Sequence, residues 1–554
     1  MSSINIANYL DTMAKKNPMS LALAVQKSTS MHRLKYTEWS FEELNRESNR
    51  VAIALRQQGV TKGMHTILMV PPGIELFSIC FALFRLGAVP IMVDPGIGLK
   101  NLKKCLTTVK PKAFIGSAKA HAARMMFGWG KGQLKVNLTT SSKISISGKT
   151  LEKILPKGDM TAFDNFTAVE GDQGDTAAIL FTSGSTGTSK GVVYTHRMFE
   201  AQINVMREVY DIKEGERDLA TFPLFGLFGP ALGMAAIVPD MNASKPIKAD
   251  PKKLLAAVRL YETTNMFASP AILDVIGEYA YKKGIVLPTL KRVISAGAPA
   301  RPESLHRFTA ILNSGVEILT SYGATEALPV SVLGSRELLL DTVTCTEKGA
   351  GVCVGYAATG MDIKIIRLTD DVIEKWDKRL LLPTGQIGEI VVCGDVVSAQ
   401  YFDLDEATAL AKIYCHQTGR FYHRMGDLGY LDDLNRLWMC GRKTHRVITA
   451  KEVLYTIACE RILDVHPEVK RTALVGIPDV NSVYQQPVLC VELNDHVLPS
   501  RHTEIRQQLH EIALWNKQTK NIKDIRFHPK FPVDIRHNAK IFREKLAVWA
   551  MEED

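Results

Sequence analysis

TSGSTGTSKG, Thr182 to Gly191, follows directly on the apolar run Ala177 to Phe181. A strand-like segment that runs into a loop of glycines and hydroxyls has the pattern of a phosphate cradle. Gly184 and Gly187 let successive backbone N–H groups converge on an anion, and Ser183, Ser185, Thr186, Thr188 and Lys190 add donors and one positive charge. The spacing is not that of the common mononucleotide loop, which needs GxxxxGK[ST]; here the lysine comes six residues after Gly184 with glycine behind it. The dinucleotide pattern GxGxxG is absent as well. A flexible Ser/Gly linker is the plain alternative. It fits the position poorly, because an ordered-looking segment, Val192 to Tyr210, follows at once.

Around the cradle, strand and helix signals alternate. Ser40 to Val60 predicts a helix, with Ser40 and Glu43 at capping-box spacing, Leu44, Val51 and Leu55 on one face and Gly59 as a stop. His65 to Val70 and Ala88 to Val93 predict strands, and Ile74 to Leu86 and Gly98 to Val109 helices. Residues 117–172 are polar and aperiodic, which implies surface structure only. Further on, helices are expected over 254–261, 271–281 and 301–312, and strands over 265–268, 292–295 and 316–320. This alternation predicts an α/β fold, a large N-terminal domain with parallel sheets covered by helices. From about 349 to 430 short strands and turns, such as Gly388 to Cys393, predict a β-rich subdomain. A charged GRKTHR stretch at Gly441 to Arg446 marks the last boundary, so residues 1–442 form the large domain and 443–554 a small, mobile α+β domain.

The chain has 554 residues with 46% apolar and 23% charged, ordinary for a soluble enzyme of two or more domains. Its net charge is +10, and Lys517, Lys520, Lys523, Arg526, Lys530, Arg536, Lys540, Arg543 and Lys545 suggest that much of the excess lies late. No aromatic residues interleave with them in a stacking pattern, so a solvated face rather than a nucleic-acid site is expected. Nine scattered cysteines without metal spacing exclude a disulfide framework or zinc site and fit a reducing cytoplasm. The start lacks a signal-peptide core. The uncharged run Phe222 to Pro239 is broken by Pro and Gly and falls short of the ~20 residues of a membrane span, so it reads as a buried pocket wall in a protein that is not integral to a membrane.

Four more stretches, SAGAP (Ser295 to Pro299), SYGATEA (Ser321 to Ala327), RMGDLGYLDD (Arg424 to Asp433) and the late Lys540, accompany the cradle in fixed order. Together they resemble the adenylate-forming superfamily of acyl-CoA synthetases, peptide-synthetase adenylation domains and luciferases. The resemblance implies ATP and Mg²⁺ as cofactors, with the cradle, Thr182 to Lys190, on the phosphates. Glu326, with Thr182, would hold Mg²⁺, which takes oxygen ligands and bridges phosphates. Tyr322 would stack on adenine beside Gly297, Ala298 and Pro299, next to Gly323. Thr325 would contact the α-phosphate, Asp427 the ribose hydroxyls with Arg442 close by, and Lys540 the substrate carboxylate during acyl-AMP formation.

Departures from the superfamily pattern narrow the reading. Gly226 in PLFGLFG stands where a His or bulky aromatic is usual, which implies a roomier or less gated pocket. Thr444 replaces the usual hinge Asp or Lys, Lys451 stands at the glycine that lets a pantetheine arm approach, and Ala539 replaces the glycine before the lysine. YGATEALP and DIRHNAKIFREKLAVWA look most like the β-lactone synthetases of bacterial olefin biosynthesis. That branch implies a hydrophobic carboxylic acid substrate, closure of a 2-alkyl-3-hydroxy fatty acid by its own hydroxyl, and thiolase, reductase and decarboxylase partners. A fatty acid–CoA ligase is the alternative, and a non-catalytic nucleotide-binding homologue is disfavoured by retention of Glu326, Asp427 and Lys540.

Overall fold

The computed structural model describes residues 5–30, 33–93, 97–140, 146–182, 189–479, 482–533 and 541–552. Strand and helix signals between residues 65 and 324 become two largely parallel sheets. The first has seven strands, in the order Lys149–Thr150, Val136–Thr140, Ala113–Ser117, His65–Met69, Val89–Val93, Thr176–Thr182 and Lys190–Thr195. All neighbours are parallel except the last pair. In the second, Leu21–Ser30, Ala235–Val238, Arg217–Ala220, Asn265–Ala268, Arg292–Ala296 and Ile318–Ala324 are parallel neighbours. The same sheet then turns antiparallel through Ala327–Gly334, Val352–Ala357, Leu437–Arg442, Arg420–Leu431, Gly388–Cys393 and Asp362–Ile366.

One apolar cluster draws Ile115 and Leu138 from the first sheet and Ala220, Ala236 and Ile294 from the second, and packs helices Phe41–Gln57, Ile74–Arg85 and His196–Val209 with them. The capping box forms as its spacing predicts: Ser40 Oγ accepts from Glu43 N at 3.2 Å, and Ser40 N donates to the Glu43 carboxylate at 2.8 Å. Leu44, Val51 and Leu55 are fully buried on the expected face. The 222–239 run becomes two short helices, Pro223–Gly226 and Phe228–Leu232, and the buried strand Ala235–Val238, an interior wall.

Residues 117–172 are more than surface structure. They hold the helix Ala118–Phe127 and the strands Val136–Thr140 and Lys149–Thr150, and bury His121, Trp129 and Leu138. Short strands rich in Thr and Asn carry little period-two signal, because their buried polar groups look like loop residues.

The C-terminal domain is α+β. Its sheet pairs Val469–Pro478 with Gln485–Leu493 antiparallel and Gln485–Leu493 with Asp524–Phe527 parallel, packed by Thr456–Leu463, His502–Leu514 and Arg543–Glu552. The GRKTHR stretch is pinned to the large domain: Lys443 Nζ hydrogen-bonds the Thr369 carbonyl and reaches Glu389 at 3.2 Å, and Arg446 meets Asp370 at 2.8 Å. The helix Thr456–Leu463 seats where two glycines clear space. A Cβ on Gly349 would stand 2.7 Å from Ile462 Cδ1, and one on Gly441 2.6 Å from Thr456 Oγ1.

His196, 3% exposed, accepts the Ile6 backbone N–H on Nδ1 at 3.3 Å. Burial lowers its pKa from 6.5 to about 4, with Asp175 opposing. A base whose folded pKa is depressed binds its proton more readily unfolded, so stability is complete above pH ~6.5 and drains as pH falls towards 4. The loss should approach ~3 kcal/mol at ~1.4 kcal/mol per unit. Melting temperatures from pH 7 to pH 4 are expected to fall less steeply for His196→Gln than for the native protein; parallel curves would contradict this.

Candidate functional site

The site gathers at the carboxyl ends of the parallel strands, where such sheets place ligands. The loop of Gly297, Ala298 and Pro299 leaves Arg292–Ala296, and its neighbour Ile318–Ala324 carries Tyr322 and Gly323 in register beside it, with Ala296 opposite Ser321. The strand runs further than 316–320 predicts, which extends the sheet to Tyr322. Ala324 pairs with Ala327 across a tight turn, so Thr325 and Glu326 occupy the hairpin tip. Tyr194 Oη donates to the Thr325 carbonyl at 2.5 Å.

In the other sheet, Thr182 pairs with Lys190 at the base of the cradle hairpin. Ser183, Gly184, Ser185, Thr186 and Gly187, like Lys540, lie outside the described residues.

Asp427 and Arg442 are cross-strand partners. The carboxylate is 2% exposed; its Oδ2 accepts from Tyr322 Oη at 2.6 Å, and Oδ1 lies 3.0 Å from Arg442 Nη1. Burial and the adjacent carboxylate push the Tyr322 phenol well above its ordinary range. The Arg442 guanidinium holds its proton more tightly because of Asp427. Oδ1 is buried and takes no hydrogen bond among the described residues, an acceptor open to a ligand hydroxyl.

Around Glu326 the structure adds residues that sequence reasoning missed. Tyr401 Oη donates to Glu326 Oε1 at 2.7 Å, and Ser398 N donates to the Glu326 carbonyl at 2.8 Å. The Tyr401 ring has Lys190 Nζ 4.8 Å from its centroid and Lys412 Nζ 5.8 Å away. Lys412 is buried and hydrogen-bonds both the Ser398 carbonyl and its hydroxyl. Burial brings its pKa down to about 7 although Glu326 opposes the fall. The detectable signal was a lone lysine opening the otherwise apolar KIY strand. Among the described residues no cluster of three His, Cys, Asp or Glu could chelate a metal. A single carboxylate such as Glu326 suits an oxygen-seeking cation that takes its other ligands from phosphates and water.

Beside these groups lies an apolar crevice lined by Gln202, Met206, Tyr210, Phe225, Phe228, Phe267, Ser321, Leu328 and Pro329, with about 20 Å³ free. The Phe225 and Phe267 rings stack at 3.9 Å. Gly226 does not widen it. A Cβ there would meet Ala220 Cβ at 3.0 Å and Phe77 Cζ at 3.6 Å, so this glycine lets the helix approach the core, and the expectation of a roomier pocket is corrected.

Residues 10–402 match the model of the AMP-binding enzyme family. Over 554 residues, 99% of the chain, it is 42% identical to an olefin beta-lactone synthetase of Xanthomonas campestris pv. campestris, with 98% of that protein covered. It is 40% identical to a protein of the same name from Stenotrophomonas maltophilia, over 99% of the chain and 98% of that protein. An amide bond synthetase from Marinactinospora thermotolerans shares the fold with a TM-score of 0.78 at 19% identity, covering 98% of this chain and 99% of its own.

Tyr322→Phe would leave Asp427 Oδ2 buried without its donor, a loss of about 1–3 kcal/mol. Denaturant unfolding should show that loss at pH 7, and an unchanged midpoint would mean that the hydroxyl does not satisfy the carboxylate.

Proposed function

The chain belongs to the AMP-binding enzyme family, and on that premise we propose that it converts a 2-alkyl-3-hydroxy fatty acid to its acyl-AMP and then closes it to a β-lactone. Membership makes it an ATP-dependent, adenylate-forming ligase. The lactone product is the finer reading, and it is carried by near-full-length similarity at 42% and 40% to two proteins named olefin beta-lactone synthetases.

In the first step a carboxylate oxygen of the acid attacks the α-phosphorus of ATP, the bond to the β-phosphate oxygen breaks and pyrophosphate leaves. Two anions must meet, so fixed donors and cations aimed at the developing charge lower the barrier. In this reading Ser183 to Gly187, with Thr182 and Lys190, cradle the phosphates. Tyr322 packs on adenine against Gly297 to Pro299, beside Gly323. The open Oδ1 of Asp427, steadied by Tyr322 and Arg442, takes a ribose hydroxyl. Thr325 faces the α-phosphate and Lys540 the reacting carboxylate. Mg²⁺ held by Glu326 and Thr182 would neutralise phosphate charge; Tyr401 orients the Glu326 carboxylate.

In the second step the 3-hydroxyl oxygen attacks the acyl carbon, the acyl–phosphate C–O bond breaks and AMP departs with the electron pair, while the hydroxyl proton passes to solvent. Holding that hydroxyl at near-attack distance replaces an external thiol, with effective molarities up to ~10⁵–10⁸ M. Lys451 and Ala539, at positions where the superfamily expects glycine, support a reaction without a pantetheine arm. Lys451 is exposed in a turn where Thr449 Oγ1 accepts from Lys451 N at 3.3 Å and Glu452 N at 3.1 Å. The apolar crevice would take the alkyl chain once the stacked Phe225 and Phe267 part. On the same reading a thiolase and a reductase supply the substrate and a decarboxylase consumes the product.

Lys540→Ala is expected to slow carboxylate-dependent exchange of pyrophosphate into ATP by ~10²-fold or more, the scale for losing one transition-state partner; exchange at the native rate by a folded variant would remove Lys540 from the chemistry. For the product, native enzyme with ATP, Mg²⁺ and a 2-alkyl-3-hydroxy acid should yield lactone and AMP by mass spectrometry. Fatty acids lacking the hydroxyl should stop at bound acyl-AMP, and added CoA should not speed turnover. Acyl-CoA from simple fatty acids, with no lactone from hydroxy acids, would make the protein a fatty acid–CoA ligase.

A further inference from the structure

Besides the late basic stretch, the chain carries an early one that is free of acids. Residues 95–151 contain eleven Lys and Arg and no Asp or Glu, which leaves 57 basic against 58 acidic residues elsewhere. The late stretch differs in that Asp524, Asp534 and Glu544 are interspersed among its lysines and arginines.

The fold concentrates part of this segment at one place. The helices Leu99–Thr108 and Ala118–Phe127 cover the same face of the seven-stranded sheet, for Leu102, Cys105 and Leu106 share an apolar cluster with Ala120, Ala123 and Phe127. Each helix returns to the amino-terminal edge of the sheet, the first into Lys110 and Lys112 before Ala113–Ser117, the second through Lys131 into Lys135 before Val136–Thr140. Lys135 N donates to the Lys112 carbonyl at 2.7 Å, which joins the two returns. All four lysines are exposed, and none makes an ion pair among the described residues. At the end of the second helix Met125 is 54% and Met126 78% exposed.

We propose that this edge, Lys110, Lys112, Lys131 and Lys135 around Met125 and Met126, docks on an anionic lipid surface. Four lysines in a segment of sequence without acids attract anionic headgroups, and two unbranched apolar side chains among them supply the shallow insertion that turns attraction into adsorption. A strand-tracking nucleic-acid site would instead interleave aromatic rings with its bases, and none is exposed here. The edge is opposite the carboxyl ends where the functional site forms, so docking and catalysis use separate surfaces, and the inference stands whatever the reaction product.

The test is co-sedimentation of the full-length protein with phosphatidylcholine vesicles and with vesicles of equal parts phosphatidylcholine and phosphatidylglycerol, with duplex DNA as a third arm. Binding to the anionic vesicles alone is expected, weakening with salt. Lys112→Gln with Lys135→Gln should reduce partitioning by roughly 25-fold, about fivefold per lysine. Met125→Ser with Met126→Ser should also weaken binding, and both variants should retain native pyrophosphate exchange. Equal binding to neutral vesicles, anionic binding untouched by the lysine changes, or tighter binding to DNA that ignores the methionines would each overturn the proposal.

Discussion

A single irregular segment, residues 397–402, fastens the two sheets together where the site forms. Val397 bridges Ala327, Ser398 N bonds the Glu326 carbonyl, and Gln400 to Phe402 exchange backbone hydrogen bonds with Gly191 and Val193 just past the cradle. Buried backbone groups must be paired, and this segment pairs its own with both sheets at once. Glu326 and Lys190 are therefore fixed relative to each other by main-chain geometry before any side-chain rotamer is chosen. Lys412 supports the arrangement from inside. A buried amine is costly unless hydrogen-bonded, and Ser398 provides both a carbonyl and a hydroxyl for it.

Asp427 makes the second connection. Its two partners come from different halves of the same sheet: Tyr322 from the parallel half and Arg442 from the last residue of the strand that leads into the small domain. A buried charge that loses one partner is strongly destabilised, so neither half can shift here without exposing the carboxylate to that penalty. The same aspartate that presents an open acceptor to a ligand thus also registers the start of the interdomain connection.

Much of this was legible in the sequence. Helix periods, the capping box and apolar strand runs are local signals, and elements such as Phe41–Gln57, Asn265–Ala268 and Gly388–Cys393 appear where those signals place them. Tyr322, Asp427 and Arg442 were identified by motif, and the structure brings them together. Tyr401, Ser398 and Lys412 were not identified, since their importance lies in contacts between residues distant in the chain, such as Tyr401 with Glu326 and Lys190, and leaves no spacing to read. Gly226 was misread for the complementary reason. A glycine in sequence says that a side chain is missing, whereas only packing says into which space it would have pointed. The weakly patterned residues 117–172 were not resolved because the strand Val136–Thr140 buries Thr139 and Thr140 beside Leu138, so polar residues stand where a period-two reading looks for apolar ones.

The two glycines beneath the helix Thr456–Leu463 give the small domain a keyed seat. Exposed ion pairs such as Arg446 with Asp370 add little hold, typically under ~1 kcal/mol, so beyond the pinned GRKTHR stretch it is shape that fixes where this helix sits. Where Ile462 and Thr456 drop into clearances with no room for even a methyl group, a partial slide would force backbone into side chain. The small domain should then leave its seat in discrete steps, like a bolt lifted from its slot, so that intermediate tilts are scarcely visited between one docked arrangement and the next.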